Sequence, residues 1–349
     1  MALVQHFPAL SPAPAPVCSI CIANYDGVGV LADCIDSVLA QQGNTSIEII
    51  VHDDASTDGS VAWIRQRYRQ VELLAASENA GFCVANNRMV TQARGEYVLL
   101  LNNDAALFPD ALQILLATAR AQPRAGILTL PQYDWQSGEL VDRGCLLDPF
   151  YNPVPNLDPA RQRVAITIGA CMFIPRALWN ELGGFPEWMG SIAEDMYICC
   201  LARLRGYPVL VTPGGGYRHR QGASFGGNRV DEGRLKTTFR RRALSERNKT
   251  AVMVICTPTW LVWLQLAAHV TTVAIEGSAL ALMKHDLRIW RDIYGWALGY
   301  TLRDLADLRA RRRLVQRTRR VHLLEYFGCF VPISRKASLL FRHGIPDIR

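Results

Sequence analysis

Apolar runs and stretches of helical period alternate along the first two thirds of the chain. Strands are expected over residues 17–23, 47–51, 71–76, 96–101 and 127–130, with helices over 28–41, 59–69 and 81–93 between them. The strands are almost continuously apolar, the habit of strands buried on both faces of a parallel sheet. One of them, Tyr97 to Leu101, runs directly into Asn102, Asn103 and Asp104, and Pro109 then suits the first turn of the helix that follows. Strand character resumes over 164–174; a helix over 175–182 stops at Gly183 and Gly184, and another over 194–205 stops at Gly206 and Pro208. This βαβα order predicts an α/β fold with a doubly wound, mostly parallel sheet, whose ligands lie at the carboxyl ends of the strands. Residues 131–163, rich in Pro, Asp and Gly, are too long for a plain loop and are expected to be functional or to carry a small hairpin.

The pattern changes in the tail. Residues 250–275 are apolar, interrupted by Pro258, Gln265 and His269, and basic residues flank them: Arg240, Arg241, Arg242, Arg247 and Lys249 before, Arg311 to Arg320 after. The stretch exceeds the ~20 residues a membrane span needs. A single span would carry the second basic block away from the cytoplasm, against the positive-inside rule, so a peripheral or re-entrant pair of helices at the anionic inner face of the cell membrane is expected. The plainer alternative is a soluble helical subdomain with a basic surface. Trp260, Trp263, Trp290 and Trp296 among apolar runs fit a membrane interface better than nucleic acid.

The 349 residues, half of them hydrophobic, suffice for one large α/β domain and an appendage. Their net charge of +7 divides unevenly: residues 1–233 hold 16 Lys and Arg against 23 Asp and Glu, whereas residues 234–349 hold 22 against 8. No lysine precedes Lys236, which excludes a Walker-type phosphate loop from the front part. The ten cysteines lack metal-binding spacing and read as small buried hydrophobes. Residues 1–16, rich in Ala and Pro, read as a disordered leader, residues 17–233 as the α/β domain and residues 234–349 as the helical, membrane-associated region.

Several clusters carry possible chemistry. Asp53 and Asp54 end the second strand, where adjacent carboxylates repel unless something hydrogen-bonds them. Ser56 and Asp58 read first as caps of the next helix. Asn79, Gly81 and Asn86 to Arg88 surround another helix start, where Arg88 either meets a phosphate or is solvated. Asp104 with the distant His219 would suit Mn²⁺ or Mg²⁺ completed by a diphosphate and water, although a lone histidine is usually no ligand. Glu194 and Asp195 open a helix, where acids also simply complement the helix dipole. The run from Gly27 to Ala32 matches the dinucleotide fingerprint GxGxxA, but Asn24, Tyr25 and Asp26 separate strand from glycine, and an oxidoreductase leaves the other acids unexplained.

Taken together, Ile22-Ala23-Asn24-Tyr25-Asp26, Asp53 through Ser60, Asn79-Ala80-Gly81-Phe82, Leu101-Asn102-Asn103-Asp104, Gly169 through Ile174, Gly183-Gly184-Phe185, Glu194-Asp195 and His219 resemble glycosyltransferase family 2, of GT-A fold, nearest its rhamnosyltransferase-like branch. The likeness covers about residues 17–230. No Gln-x-x-Arg-Trp sequence is present, which disfavours a processive synthase. The resemblance implies an inverting, non-processive enzyme moving a sugar from a nucleotide-diphosphate donor, with dTDP-rhamnose one candidate, to a glycan or lipid-linked glycan in cell-surface polysaccharide synthesis. It further implies a donor site of Ala23, Tyr25, Asp26, Asp53, Asp54, Asn79, Gly81 and Asn103, a metal site at Asp104 and His219 for Mn²⁺ or Mg²⁺, and a general base at Asp195 beside Glu194. Asn103 stands where an acid is common, and Asp54 where the branch usually has Asn. A nucleotide-binding protein of this fold without turnover remains the alternative.

Overall fold

The computed structural model describes residues 3–220, 227–231 and 233–349. Its first elements are β1 (Val4–Phe7), β2 (Cys18–Asn24), α1 (Val28–Leu39), β3 (Ile47–Asp53), α2 (Ser60–Arg67), β4 (Val71–Ala76), α3 (Phe82–Gln92), β5 (Tyr97–Asn102), β6 (Ala105–Leu107), α4 (Ala111–Arg120) and β7 (Ile127–Thr129). The short strands β8 (Gln132–Asp134), β9 (Leu140–Asp142), β10 (Cys145–Leu147) and β11 (Pro153–Pro155) follow, then β12 (Cys171–Pro175), α5 (Arg176–Leu182), α6 (Glu194–Leu204), β13 (Val209–Val211) and β14 (Tyr217–His219).

Eight strands form the main sheet in the order β1-β4-β3-β2-β5-β12-β7-β13. Strands β4, β3, β2 and β5 are parallel, with Ile20 level with Ile49 on one side and with Leu99 on the other. Side chains alternate across it. Ile20, Ile22, Leu99, Leu101 and Phe173 face α1, α2 and α4, while Cys21, Val98, Leu100, Met172 and Ile174 face α3, α5 and α6. This double burial is why the strands read as unbroken apolar runs.

Four expectations need correction. The sheet is mostly parallel, as expected, with β12 antiparallel to both β5 and β7. That strand enters from the opposite direction after the chain has crossed the strand ends at Thr167 to Ala170, so of the expected 164–174 only residues 171–174 are strand, and the strand runs one residue further, to Pro175. The leader is not structureless from end to end: β1 pairs antiparallel with β4 and covers what would be an open sheet edge. Residues 131–163 hold four short strands rather than one hairpin. Two of them join β6 and β14 in a second sheet of order β6-β14-β8-β9.

The fourth correction concerns the tail. Strands β15 (Gly227–Asp231) and β16 (Arg234–Thr237) precede α7 (Phe239–Cys256), α8 (Val262–Met283) and a π-helical turn, Ile289–Gly295, that continues into α9 (Trp296–Arg303). Helices α10 (Leu305–Arg317), α11 (Leu323–Phe327) and α12 (Arg335–His343) follow, and β17 (Asp347–Ile348) pairs with β16. The apolar stretch 250–275 is two helices parted at Pro258, which cannot continue a helix. Residues Ala251 to Cys256 are completely buried in the same core as Val98, Leu100 and Ile198. So α7 is a layer of the α/β fold, not an appendage, and among the described residues α8 alone is long and apolar enough to cross a membrane by length and composition.

Candidate functional site

At the carboxyl end of β2, Asn24 links three segments. Its Nδ2 donates to Asp53 Oδ2 at 2.8 Å, and its Oδ1 accepts from Asn103 Nδ2 at 2.8 Å. Asp53 also accepts from the Ser56 amide at 2.9 Å and from Ser56 Oγ at 2.7 Å, so this buried carboxylate ties the strand end to its own loop. Asp54 reaches the other way and accepts from the amides of Ala80 and Gly81, both at 2.8 Å. The repulsion expected of adjacent acids is avoided because each faces its own set of N–H and O–H donors. Tyr25, 53 % exposed, stands at the rim with Asp26 and Asn79, which are exposed as well, while Ala23 and Gly81 are half-buried. Arg88 lies 3.3 Å from His52 Nε2.

Asp58 caps two helices. It accepts from the Ser60 amide at 3.0 Å in the first turn of α2 and from the Val28 amide at 2.8 Å at the start of α1. The N-terminus of α1, where a dinucleotide's pyrophosphate would sit, is thus filled by a carboxylate of the chain itself. A Cβ on Gly27 would come within 2.2 Å of Asn103 Nδ2, so that glycine serves close packing against the strand end.

The second sheet brings Asp104 and His219 together. Strand β14 runs antiparallel to β6 with His219 level with Ala105, and this register sets His219 Nε2 3.1 Å from Asp104 Oδ1. Both are buried, Asp104 to 2 % exposure, and the Arg220 amide donates to Asp104's carbonyl at 3.0 Å. A carboxylate and an imidazole are a donor pair that suits Mn²⁺ or Mg²⁺ with most positions left to other oxygens. Asn103's amide is turned to Asn24 instead. Among the described residues no group of three or more His, Cys, Asp or Glu is placed to hold a metal ion alone.

Glu194 and Asp195 begin α6 after a loop in which Ile192 and Ala193 both take positive φ, +70° and +71°. Non-glycine residues there cost about 1–3 kcal/mol each and persist only where neighbours enforce them. The enforcing neighbour is Asn248 of α7, fully buried, whose Nδ2 lies 2.7 Å from the carbonyl of Ile192, 2.9 Å from that of Ser191 and 3.2 Å from that of Met189. Arg247 adds a bond to Met189's carbonyl at 2.9 Å. Asp195 accepts from the Gly169 amide at 3.0 Å and from Met196 at 2.6 Å. Beside Gly169, Ala170's carbonyl accepts from the Asn102 amide at 3.0 Å, which brings the acids to the end of β5. On the far side Cys83 donates to Gly190's carbonyl at 3.2 Å. The loops carrying Asp54, Gly81, Asp195 and Asp104 are therefore joined around one set of strand ends, by the carboxylates of Asp54 and Asp195 and by backbone bonds at Asn102 and Cys83.

Burial pushes Glu194 up to about 8, helped by its neighbour Asp195, and its Oε2 has no hydrogen-bond partner among the described residues. Burial also raises Asp195, against the opposing pull of the Gly169 and Met196 amides and of Arg241. Burial thus favours the neutral form of both carboxyls, and the Gly169 and Met196 amides with Arg241 oppose it at Asp195. Asn248 and Arg241 escaped the sequence reading because they sit in what looked like a basic flank.

Residues 19–182 match the family model described as Glycosyl transferase family 2. The chain is 28% identical to the uncharacterized protein y4gI of Sinorhizobium fredii over a stretch covering 65% of this chain and 26% of that protein. It is 26% identical to an N-acetylglucosaminyl-diphospho-decaprenol L-rhamnosyltransferase of Mycobacterium tuberculosis over 52% of this chain and 68% of the relative. Among solved structures, GalNAc-T7 with UDP, GalNAc and Mn²⁺ superposes with a TM-score of 0.56 at 15% identity, covering 84% of this chain and 58% of that one. At that identity the likeness concerns the GT-A fold alone.

Proposed function

We propose that the chain, whose residues 19–182 match glycosyl transferase family 2, is a glycosyltransferase of GT-A fold that transfers one sugar, with inversion, from a nucleoside-diphosphate donor to a glycan or lipid-linked acceptor. The observation that carries this reading is the Asp195 carboxyl, held by the Gly169 amide beside the end of β5, on the same set of loops as Asp104 and His219.

The donor's base would meet Tyr25 at the rim, with Asp53 and Asp54 shaping the wall behind it, since a carboxylate accepting two or three bonds retains acceptor capacity. Asp104 Oδ1 and His219 Nε2 would hold a divalent cation, whose chemistry is to neutralise charge gathering on the departing diphosphate. The acceptor hydroxyl attacks the anomeric carbon from the face opposite that diphosphate. As the new carbon–oxygen bond forms and the bond to phosphate breaks, Asp195 takes the hydroxyl proton. An acid at a helix N-terminus is a weak base, and burial offsets this by raising Asp195. Protonated Glu194 spares Asp195 a second adjacent charge.

The likeness to the mycobacterial enzyme supports an L-rhamnosyl donor and a lipid-linked acceptor as the first to be tried. The outward apolar face of α8 supports a place at the inner face of the cell membrane. A panel of nucleotide sugars with Mn²⁺ or Mg²⁺, scored for donor hydrolysis and transfer, tests the proposal. We expect turnover with at least one donor, and Asp195→Asn should cut transfer at least 10³-fold while nucleotide binding by calorimetry stays within threefold. Nucleotide binding with no turnover for any donor would favour the non-catalytic alternative; equal turnover by the variant would remove Asp195 from its role.

A further inference from the structure

Between the start of α8 and α10 lies a cavity of about 650 Å³, lined by Trp260, Trp263 and four arginines, with no carboxylate in its wall. Two of the arginines build it. Arg312 donates to the carbonyls of Val254, Thr257 and Thr259 at 2.5–2.9 Å, and Arg319 to that of Pro258 at 2.5 Å, closing the C-terminal end of α7. The other two face the opening. Arg309 stacks over Trp263 at 4.9 Å, Arg313 is exposed, and neither enters a hydrogen bond or ion pair among the described residues. The cavity therefore presents uncompensated positive charge beside two indoles.

From its mouth an uncharged stripe runs the length of α8. Leu261, Leu264, Ile275, Leu282 and Met283 are exposed at helical spacing, with only Ala, Thr and Ser exposed between them, and Trp260 is 72 % exposed at the head. A soluble anion would use the arginines and leave the stripe bare. We propose that this cavity binds the phosphate of an anionic membrane phospholipid, whose acyl chains lie against the outward face of α8. The proposal deepens the membrane-facing part of the reading above and is independent of donor chemistry. Asn248, at the loop before Glu194, and Thr257, the C-cap of α7 whose carbonyl Arg312 holds, are nine positions apart, about 14 Å of rise. One rigid helix thus fixes how far the acids stand from a bound lipid.

The test is co-sedimentation of the full chain with phosphatidylcholine vesicles, with and without phosphatidylglycerol, together with calorimetric titration of soluble glycerophosphate. The wild type is expected to bind the mixed vesicles at least tenfold more tightly than pure phosphatidylcholine and to show no saturable glycerophosphate binding in the millimolar range. The double variant Arg309→Glu, Arg313→Glu should lose at least tenfold on mixed vesicles. Arg317→Glu, Arg320→Glu, the same charge change on exposed residues outside the cavity wall, should lose less than threefold. Unchanged thermal melts establish that both variants are folded. Equal losses, or none, overturn the site while leaving membrane association standing, and tight glycerophosphate binding reassigns it to a soluble anion. Absence of wild-type binding to any vesicle overturns the site and the membrane reading together, whereas donor turnover is measured apart from both.

Discussion

Asp104 and Glu194 put opposite demands on their surroundings. Asp104 has His219 at 3.1 Å and belongs to the proposed cation site, so Asp104→Ala should remove the stimulation of donor binding by Mn²⁺, read by nucleotide calorimetry with and without metal. An unchanged metal titration would place the cation elsewhere. Glu194 is instead a buried acid pushed up to about 8. Its folded form keeps a proton that the unfolded chain releases near the usual carboxylate value of about 4.3, so the folded state binds more protons between those limits. Stability is therefore highest below that range and falls as pH rises towards 8. Glu194→Gln, which cannot ionise, should show a melting temperature that declines less over this window. At this scale the residue types at the strand ends were legible in sequence. Their partners were not: nothing in the order of residues says that Asp53 closes its own loop while Asp54 holds Ala80 and Gly81.

Among the elements, α7 departs furthest from expectation. The sequence presents it as the basic approach to a membrane segment, and it is the helix that braces the loop before Glu194 and Asp195. Asn248 lies within hydrogen-bonding reach of three carbonyls across the two positive-φ residues before Glu194. Asn248→Ala would leave buried carbonyls unpaired at a cost of about 1–3 kcal/mol and release the strain stored at Ile192 and Ala193. We expect kcat to fall at least tenfold with the donor KM nearly unchanged. Asn248→Asp, similar in shape but without N–H groups, should fail equally; full activity of the Asp variant would show that shape rather than donation matters. The alternating strands and helices of the front part were predicted to within a few residues, because double burial imposes a pattern each element carries by itself. The placement of α7 depends on contacts with residues far earlier in the chain.

For the molecule as a whole, the tail is locked to the fold by buried charge. Glu246 is within 2.9 Å of Lys249 and 2.7 Å of Lys336, and Arg242 lies 3.4 Å away. Lys249 also donates to Asn152, at 2.7 Å, in the front part. Burial pushes Lys249 down to about 8 even with Glu246 beside it, so removing that counter-charge leaves cations that water cannot reach. Glu246→Gln should lower stability by about 3–5 kcal/mol, measured from the urea midpoint, and change donor binding only as far as the chain unfolds. A loss below 1 kcal/mol would mean that the cluster is hydrated. What the sequence determined by itself was everything carried by local order: the strand-and-helix succession, the acids at the strand ends, the family likeness and an apolar tail of the right length for a membrane. The tertiary structure alone decided the antiparallel entry of β12, the meeting of Asp104 with His219 and the division of the tail into a buried brace and an outward helix. Each of these depends on which distant segments share a core or a strand register, and burial and pairing belong to the folded arrangement rather than to any single stretch of chain.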